Sequence, residues 1–478
     1  MTPRRKAIIL ASCCLSLLIV SMDATIVNVA IPAIRADLNA SPSQLQWVVD
    51  VYTLVLASLL ILAGASGDRF GRRRVFQIGL TAFAFGSLLC SLAPDMDMLI
   101  GARLLQAVGG SMMNPVALSI VSQVFTGPVE RARALGFWGS VVGISMALGP
   151  IVGGLLIELV SWRAVFWINL PICAAAIILT AVFVPESKSA TMRNIDPVGQ
   201  VLAVLFLFGV VFTLIEGPVL GWTNPRTVAA AVVAAVAFVL FLRYESRRHD
   251  PFIDLRFFRS IPFSSATVTA ISAFAAWGAF LFMMSLYLQG ERGYSAMDTG
   301  LIYLPIALGA LLFSPLSGRM VGRFGARPSL LIAGVLITAA ASMLTFITAS
   351  TPVWALLLVF AVFGIGFSMV NAPITNAAVS GMPLERAGAA SAVTSTSRQI
   401  GVSIGVAMCG SVAGGALAGT TTDFAASARP LWFVCVALGG VITALALFST
   451  SGRALRSAER LAPLIAGEPT ASGASRAA

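Results

Sequence analysis

Stretches of about 20 apolar residues recur along the whole chain, with short polar segments between them. In a helix, about 20 residues span the roughly 30 Å hydrocarbon core of a bilayer. Backbone polar groups in lipid must be paired within the protein, so these stretches are expected to fold as helices. The pattern predicts an all-α polytopic membrane protein with fourteen transmembrane helices. The predicted spans are 7–30, 45–66, 75–93, 98–120, 134–157, 164–184, 197–216, 227–243, 262–288, 299–318, 328–349, 353–376, 388–413 and 430–450.

Composition and charge agree with this prediction. Of the 478 residues, 58% are hydrophobic and 11% are charged, and the mean hydropathy is +0.92. The net charge is +11, but most basic residues lie in short loops on alternate sides of the apolar stretches. This is the positive-inside pattern of membrane proteins, so we expect the lipid bilayer and not nucleic acid as the partner. The same pattern predicts that both termini are cytoplasmic.

The sequence lacks the residue patterns that a membrane enzyme would need. Its six cysteines all lie in apolar stretches and have neither zinc-ligand nor disulfide-framework spacing. The single histidine, His249, lies in a predicted loop. Because the sequence also has no P-loop and no Ser/His/Asp set, we expect no metal, no cofactor and no enzymatic activity.

Three short motifs occur twice in the chain, about 255 residues apart. This repeat maps predicted spans 2, 4 and 5 onto spans 10, 12 and 13. It predicts two six-helix units with spans 7 and 8 inserted between them, an arrangement typical of transporters that bind substrate between two halves. The pairs are GDRFGRR (67–73) with GRFGAR (322–327), GGSMMNP (109–115) with GFSMVNAP (366–373), and PVERARA (128–134) with PLERAGA (383–389).

The repeat also predicts the domain organisation. An N-terminal six-helix bundle covers 1–184, and an inserted helix pair with a cytoplasmic loop covers 185–260. A C-terminal six-helix bundle covers 261–450. The remaining segment, 451–478, is rich in Ala, Ser and Gly and is expected to be a disordered cytoplasmic tail.

The segment GASGDRFGRRR (64–74) carries five charges in an otherwise apolar region. Its glycines permit a tight reversal between two helices, and its acidic residue can lie against the N-terminal end of a neighbouring helix. The pattern resembles the signature loop of the major facilitator superfamily. The whole chain except the tail is similar to the fourteen-span drug:H⁺ antiporters of bacteria. The resemblance implies that this loop is a conformational latch between the halves, formed by Gly64, Asp68, Arg69, Gly71, Arg72 and Arg73.

Two further segments carry the same resemblance. LLQAVGGSMMNP (104–115), preceded by Arg103, is similar to the superfamily's arginine motif, although Ala107 stands where a glycine is usual. VVGISMALGPIVGG (141–154) resembles the motif of antiporters rather than symporters. Glycines at this spacing allow close approach of helices, and a Gly-Pro step permits a bend. The motif residues are Gly143, Gly149, Pro150, Gly153 and Gly154.

Few carboxylates within the predicted spans can carry protons. Counting along the helices places Asp23, Asp50 and Arg103 at one depth, about 8–10 Å below the outer boundary. Charges buried at one level are expected to pair. The hypothesis is that Asp23 is protonated and deprotonated during transport while Arg103 tunes its acidity. Asp50 is either a second acceptor, a contact for a cation or an interfacial residue, and Glu216 is expected to be interfacial.

The substrate surface is expected to lie between the two halves. Methionine and aromatic side chains can form a soft apolar cavity for varied drugs, although such residues often only pack helices together. Arg398 is predicted to lie near mid-membrane and to face the cavity, where it either balances Asp23 or contacts an anionic group. The candidate cavity residues are Asn28, Gln106, Met113, Trp277, Asn371 and Arg398.

These observations predict a proton-coupled exporter of amphipathic or cationic drugs or antibiotics that works by alternating access. The resemblance implies a monomeric protein of the bacterial inner membrane, with protons and a drug-like small molecule as its partners. An alternative is a dedicated exporter of one endogenous metabolite or self-made antibiotic. A nutrient symporter is disfavoured by the antiporter motif, and a membrane enzyme by the lack of a catalytic constellation.

Overall fold

The computed structural model describes residues 2–188, 196–248, 253–380, 384–418 and 424–449, together with 451, 452, 454, 456 and 457. Within 128–147 and 384–418 some side chains are not described. His249 and most of the predicted tail at 451–478 lie outside the described residues.

Helices account for most of the described chain. They are α1 (Pro3–Leu38), α2 (Pro42–Phe70), α3 (Arg72–Ser91), α4 (Met96–Val124), α5 (Pro128–Leu159), α6 (Ala164–Trp167), α7 (Asn169–Phe183), α8 (Pro197–Leu220), α9 (Pro225–Glu245), α10 (Ile261–Leu286), α11 (Ala296–Ile302), α12 (Leu304–Phe324), α13 (Ala326–Leu344), α14 (Val353–Ser368), α15 (Asn371–Val379), α16 (Leu384–Ala418) and α17 (Phe424–Phe448). A 3₁₀ turn at Leu255–Arg259 precedes α10, and a π-helical turn at Tyr287–Glu291 follows it.

Twelve helical segments in the described part of the chain are long and apolar enough to cross a membrane. Each coincides with a predicted span, and the all-helical polytopic fold is confirmed. The other two predicted spans, 134–157 and 388–413, fall on α5 and α16, two long helices that include incompletely described residues. The count of fourteen therefore stays a prediction.

The helices of each predicted half pack mainly with one another. In the N-terminal half, α4 lies between α2 and α3, while α1 packs against α5 and α7. In the C-terminal half, α10 packs against α16 and α13 against α17. The inserted helices α8 and α9 pack against each other, and α8 also contacts α2 and α16.

Contacts between the halves join α2 to α16, α5 to α11 and α12, and α1 to α10. The Nε2 amide of Gln46 on α2 donates to the carbonyl of Val406 on α16 at 2.6 Å. The Nε2 amide of Gln289 donates to the carbonyl of Val29 on α1 at 2.9 Å. These four residues lie toward the helix ends that the topology prediction places outside. The described polar contacts thus join the halves on that side.

The helix formed by α14 and α15 is broken at Met369–Val370. Pro373 has no N–H, so it cannot donate to the carbonyl of Met369 four residues earlier. That carbonyl instead accepts hydrogen bonds from the hydroxyls of Ser317 on α12 at 3.1 Å and Ser329 on α13 at 2.8 Å. The corresponding helix of the first repeat, α4, runs unbroken through Pro115. The two halves therefore differ at this place.

Candidate functional site

Asp23 lies near the middle of α1 and is fully buried. One carboxylate oxygen forms an ion pair with the guanidinium Nη1 of Arg103 on α4. The other oxygen accepts hydrogen bonds from the amides of Gln106 at 2.8 Å and Asn169 at 3.2 Å. The structure thus brings Asp23 and Arg103 together, as their predicted depths require.

Arg103 is also nearly fully buried, with 1% of its surface exposed. Its Nε donates to the backbone carbonyl of Val48 on α2 at 3.1 Å, and its Nη1 donates to Oε1 of Gln106 at 2.6 Å. The guanidinium lies over the ring of Tyr52, 4.1 Å from its centroid. A buried cation is costly unless it is paired and hydrogen bonded, and these contacts meet both conditions.

Close packing of α3 against α4 places Gln106 in the site. A Cβ atom on Gly86 of α3 would lie 2.6 Å from the backbone nitrogen of Gln106, so only glycine allows this approach. As a result Nε2 of Gln106 reaches the hydroxyl of Ser87 at 2.8 Å. The Nδ2 amide of Asn169, at the start of α7, donates to the same hydroxyl at 3.2 Å.

Ser87 and Asn169 were not among the predicted site residues. Asn169 belongs to the segment WINLP, and an amide in that apolar surrounding is a signal that could have been used. Ser87 gives no such signal, because its role depends on how α3 packs against α4.

The contacts around Asp23 suit an ionised carboxylate. Its described partners, Arg103, Gln106 and Asn169, all donate hydrogen bonds to it. Donation to the charged form favours that form, while burial opposes it. A proton that arrives at Asp23 removes the negative charge that pairs with Arg103, which is a chemical basis for coupling protonation to movement of α1 against α4. The role of Asp23 and Arg103 in coupling stays a prediction.

Asp50 does not join this group. It is fully buried on α2, and neither carboxylate oxygen has a hydrogen-bond partner among the described residues. The hydroxyl of Ser403 on α16 is near this carboxylate, but the pair does not reach hydrogen-bonding geometry. Asp50 shares a face with Gln46, four residues earlier, and that face meets α16. Val48 and Tyr52 are on another face of α2, toward Arg103, which explains the separation.

Glu216 lies on α8 and is partly buried. Its Oε1 accepts a hydrogen bond from the indole nitrogen of Trp47 on α2 at 2.8 Å. This contact links the inserted pair to the N-terminal half beside the face that carries Asp50. Glu216 is not part of the Asp23 site, and its expected interfacial position stays a prediction.

The candidate cavity residues lie in different surroundings. Asn28 is buried on α1, and its Nδ2 donates to the carbonyl of Ala24 at 3.1 Å. Met113 is fully buried in the apolar core of the N-terminal half, against Gly79 of α3. Trp277 stacks on Phe367, with 4.3 Å between ring centroids, and so packs α10 against α14. Gln106 belongs to the Asp23 site.

Asn371 and Arg398 lie on the C-terminal half, on α15 and α16, and both are partly exposed. The Nη2 of Arg398 donates to the hydroxyl of Thr375 at 2.7 Å. Its guanidinium lies 5.9 Å from the ring centroid of Phe274 on α10. Its buried Nε has no hydrogen-bond partner among the described residues. Arg398 is therefore a cation with spare hydrogen-bonding capacity, and its contacts with Asp23 or a substrate stay a prediction.

The predicted latch residues gather at the junction of α2 and α3. The guanidinium of Arg72 pairs with Oδ1 of Asp68 four residues earlier, with its Nη2 at 2.8 Å. Gly71 has φ +112°, which favours glycine, and makes the sharp turn between the helices. Gly64 approaches Pro115 of α4, and Arg69 lies beside the ring of Phe70.

The carboxylate against the N-terminal end of α3 is that of Glu186 and not that of Asp68. Its two oxygens accept from the backbone N–H groups of Arg73 at 3.1 Å and Arg74 at 3.2 Å. Asp68 instead pairs with Arg72, and its expected place against the N-terminal end of another helix stays a prediction. Glu186 follows α7 in the segment VPESK, so it ties the end of the first six helices to the loop. The function of these residues as a latch stays a prediction.

The glycines of α5 make close contacts on two faces. A Cβ atom on Gly149 would overlap the hydroxyl of Thr25, and one on Gly153 would lie 2.7 Å from Cγ1 of Ile26, so this face packs tightly on α1 beside Asp23. A Cβ atom on Gly154 would overlap the carbonyl of Ala296 on α11. The antiporter-like segment therefore touches both the helix of Asp23 and the other half.

Pro150 completes the contact between α5 and α11. A Cβ atom on Gly300 would lie 2.6 Å from the carbonyl oxygen of Pro150. Gly143 lies on the same helix in a part whose side chains are incompletely described. The described residues contain no group of three or more His, Cys, Asp or Glu side chains that could hold a metal ion.

Comparison with known proteins yields a consistent set of matches. The family model of the Major Facilitator Superfamily matches residues 13–406. The chain is 37% identical over 410 residues to the multidrug resistance protein Stp of Mycobacterium tuberculosis, covering 86% of this chain and 76% of that protein. It is 36% identical over 395 residues to the tetracenomycin C resistance and export protein of Streptomyces glaucescens, covering 82% and 73%.

A third relative and one solved structure extend the comparison. The multidrug efflux pump LfrA of Mycolicibacterium smegmatis is 33% identical over 412 residues, covering 86% of this chain and 81% of that protein. The crystal structure of a bacterial homologue of the human lysosomal transporter Spinster, inward-facing and unoccupied, aligns with a TM-score of 0.65 over 97% of this chain and 99% of that chain. At 18% identity this structure supports the fold alone.

Proposed function

The chain belongs to the Major Facilitator Superfamily, and from this premise we propose that it is a proton-coupled exporter of amphipathic or cationic drugs or antibiotics. Relatives that match over more than four-fifths of the chain are named for multidrug resistance, antibiotic export or multidrug efflux. Within the superfamily we assign it to the fourteen-span drug:H⁺ antiporters, on the two long helices α5 and α16 added to the twelve apolar segments. It is a transporter of small molecules and not an enzyme.

The observation that carries the proposal is the Asp23 site. A carboxylate buried within an apolar helix is costly and marks a site for ions or protons. Asp23 is fully buried and is held by Arg103, Gln106 and Asn169, on two other helices. Proton exchange at this carboxylate changes how strongly α1 is held to α4 and α7. The proton gradient across the bacterial inner membrane then supplies the energy for export.

Alternating access is proposed to move the two halves about this site. The polar contacts between the halves lie on the side predicted to be outside, such as the bond from Gln46 to Val406. This arrangement suits a conformation in which substrate enters from the cytoplasm. We propose that Asn371 and Arg398 of the C-terminal half face the substrate, supported by their partial exposure. Met113 on α4 packs against Gly79 of α3, and we do not propose that it faces the substrate.

Drug-dependent proton movement in everted membrane vesicles tests the proposal. Respiration acidifies the vesicle interior, and an antiporter that takes up a drug releases protons, which a fluorescent pH probe reports. Cationic, neutral and anionic drugs are added in turn to wild type, Asp23→Asn and the control Asp37→Asn. Asp37 is a carboxylate on the same helix, but it is partly exposed and pairs with Arg163. We expect responses to several drugs in wild type and Asp37→Asn and loss of response in Asp23→Asn.

The same set of drugs also distinguishes a multidrug exporter from a second candidate function, a dedicated exporter of one antibiotic. This candidate is favoured by relatives named for single compounds, such as the tetracenomycin C protein and the puromycin resistance protein of Streptomyces alboniger. A response to one compound only, lost in Asp23→Asn, would indicate the dedicated exporter. Undiminished proton release in Asp23→Asn would overturn the role of this carboxylate in either case.

A further inference from the structure

The inserted pair of helices carries a basic cavity that has no part in the Asp23 site. This cavity is an open depression of about 660 Å³ on the surface, at the C-terminal end of α9 and the turn that follows it. It is lined by Leu240, Arg243, Tyr244, Arg247 and Arg248. Three arginines in six residues stand out in a chain of which 11% is charged. The topology prediction places this end of α9 at the cytoplasmic boundary of the membrane.

Part of this cluster is held in place by a buried carboxylate. Asp196, at the start of α8, is 4% exposed. Its Oδ1 accepts hydrogen bonds from the hydroxyl of Tyr244 at 3.1 Å and from Nη1 of Arg248 at 3.2 Å. The carboxylate therefore fixes one wall of the cavity and balances the charge of Arg248.

The positive charges of the other two arginines can interact with a ligand. Arg243 and Arg247 are both exposed; Arg243 lies in the last turn of α9, and Arg247 lies in the turn that follows the helix. Among the described residues neither forms an ion pair with an acidic side chain. The cavity thus presents two uncompensated positive charges beside a fixed tyrosine hydroxyl.

An apolar row leads from the membrane to this cavity. Val228, Val232, Val236 and Leu240 follow one another at intervals of four residues, and between 45% and 54% of each side chain is exposed. Residues at this spacing form a continuous stripe along a helix. The next position in the stripe is Tyr244, in the cavity wall. Aromatic residues of this kind are typical of the membrane interface.

We propose that this cavity binds the phosphodiester headgroup of an anionic phospholipid, with an acyl chain along the apolar row of α9. The two free arginines match a negatively charged headgroup, and basic clusters next to a membrane helix attract anionic lipids. A soluble phosphate would use the same arginines but would gain nothing from the exposed valine row. The site is independent of transport, so it stands or falls separately from the proposed function.

Native mass spectrometry of the purified full-length protein in detergent tests this site. The probes are phosphatidylglycerol and phosphatidylcholine with identical acyl chains, added in equal amounts. We expect preferential binding of phosphatidylglycerol, and a loss of affinity of about fivefold in Arg243→Gln and in Arg247→Gln, as expected for one arginine at a membrane surface. The control is Arg226→Gln, an exposed arginine at the other end of the same helix. It removes the same charge and is expected to bind like wild type.

Two competition arms identify the source of the phosphate. Glycerol 3-phosphate and inorganic phosphate are each added at millimolar concentration to the lipid-bound protein. Retention of the lipid supports the proposal, whereas displacement by either soluble anion overturns it in favour of a soluble ligand. Equal binding of the two lipids, or equal losses in Arg226→Gln and the two cavity variants, also overturns it. Melting temperatures of all variants establish that folding is preserved, which is expected because the substituted arginines are exposed.

Discussion

Asp23 and Asp50 are equally buried on α1 and α2, yet the carboxylate of Asp23 has three hydrogen-bond donors and that of Asp50 has none among the described residues. An ionised carboxylate without partners in an apolar interior costs several kcal/mol. We therefore expect Asp23 to be ionised and Asp50 to be neutral in this conformation.

This difference predicts that neutralising Asp23 destabilises the protein and that neutralising Asp50 does not. Asp23→Asn leaves Arg103 buried without its counter-ion, and breaking a buried pair in this way costs about 3–5 kcal/mol. Asp50→Asn breaks no hydrogen bond seen in the structure and replaces a neutral acid by a neutral amide, so we expect little change. Thermal unfolding of the purified variants in detergent measures this. Equal losses of melting temperature in the two variants would contradict this prediction, because they would show that both carboxylates stabilise the fold to the same extent.

The contact between α5 and α11 predicts how the halves respond to a single methyl group. Gly154→Ala places a Cβ atom against the carbonyl of Ala296, so the two helices must separate. We expect a longer distance between spin labels at Leu92 and Trp354, two exposed positions on opposite halves. Double electron–electron resonance measures this distance, with an expected increase of about 1–2 Å, the scale of helix shifts at interfaces.

Gly101→Ala on α4 is the matched control for this substitution. Gly101 is helical as well, but a Cβ atom there meets nothing within 4 Å. The control is expected to leave the distance distribution unchanged. If both substitutions gave the wild-type distribution, Gly154 would not set the separation of the halves.

Sequence periodicity was sufficient to predict the helices because each predicted span is a continuous apolar stretch. It also predicted that Asp23 and Arg103 meet, since both lie at one depth in a medium that forces buried charges to pair. Depth alone failed for Asp50. Its pairing depends on which face of α2 it occupies, and Gln46 and Asp50 face α16. Packing between helices determines which face of a membrane helix points toward which neighbour. A helix that is apolar on all sides gives little sequence information about this orientation.

The site residues that the sequence did not predict were missed for one common reason. Ser87 and Asn169 complete the Asp23 site through contacts between α1, α3, α4 and α7. Glu186 caps α3 from a position more than a hundred residues later in the chain. Such contacts depend on how the helices pack together. Single small polar residues show no periodicity in the sequence that would predict these contacts. Motif resemblance marked the segments but did not assign these side chains.

The cap on α3 predicts a local effect at the loop. In Glu186→Gln the side chain can still accept one hydrogen bond, but it loses the charge that favours the N-terminal end of a helix. We expect about 1 kcal/mol less protection of the first turn of α3, or about fivefold faster amide exchange at 72–76. Hydrogen–deuterium exchange with mass spectrometry measures this. Asp97→Asn, which removes a charge from the first turn of α4, is expected to leave this peptide unchanged.

The broken helix of the C-terminal half predicts a rescue. Substituting both Ser317 and Ser329 by alanine leaves the buried carbonyl of Met369 without its side-chain donors. An unsatisfied buried carbonyl costs about 1–3 kcal/mol, so we expect a lower melting temperature. Adding Pro373→Ala supplies an N–H four residues after Met369, and this group can donate to the carbonyl within a continuous helix.

The triple variant is therefore expected to regain much of the stability that the double variant loses. Pro373→Ala alone serves as the reference, because it shows what the proline contributes when both serine hydroxyls are present. If the triple variant were no more stable than the double variant, the serines would stabilise this region by another route, such as their mutual hydrogen bond at 2.6 Å. Recovery would instead show that the break in α14–α15 exists because the proline frees a carbonyl that the neighbouring helices satisfy. The first repeat keeps α4 continuous, so the break would then be a local consequence of packing in the second half.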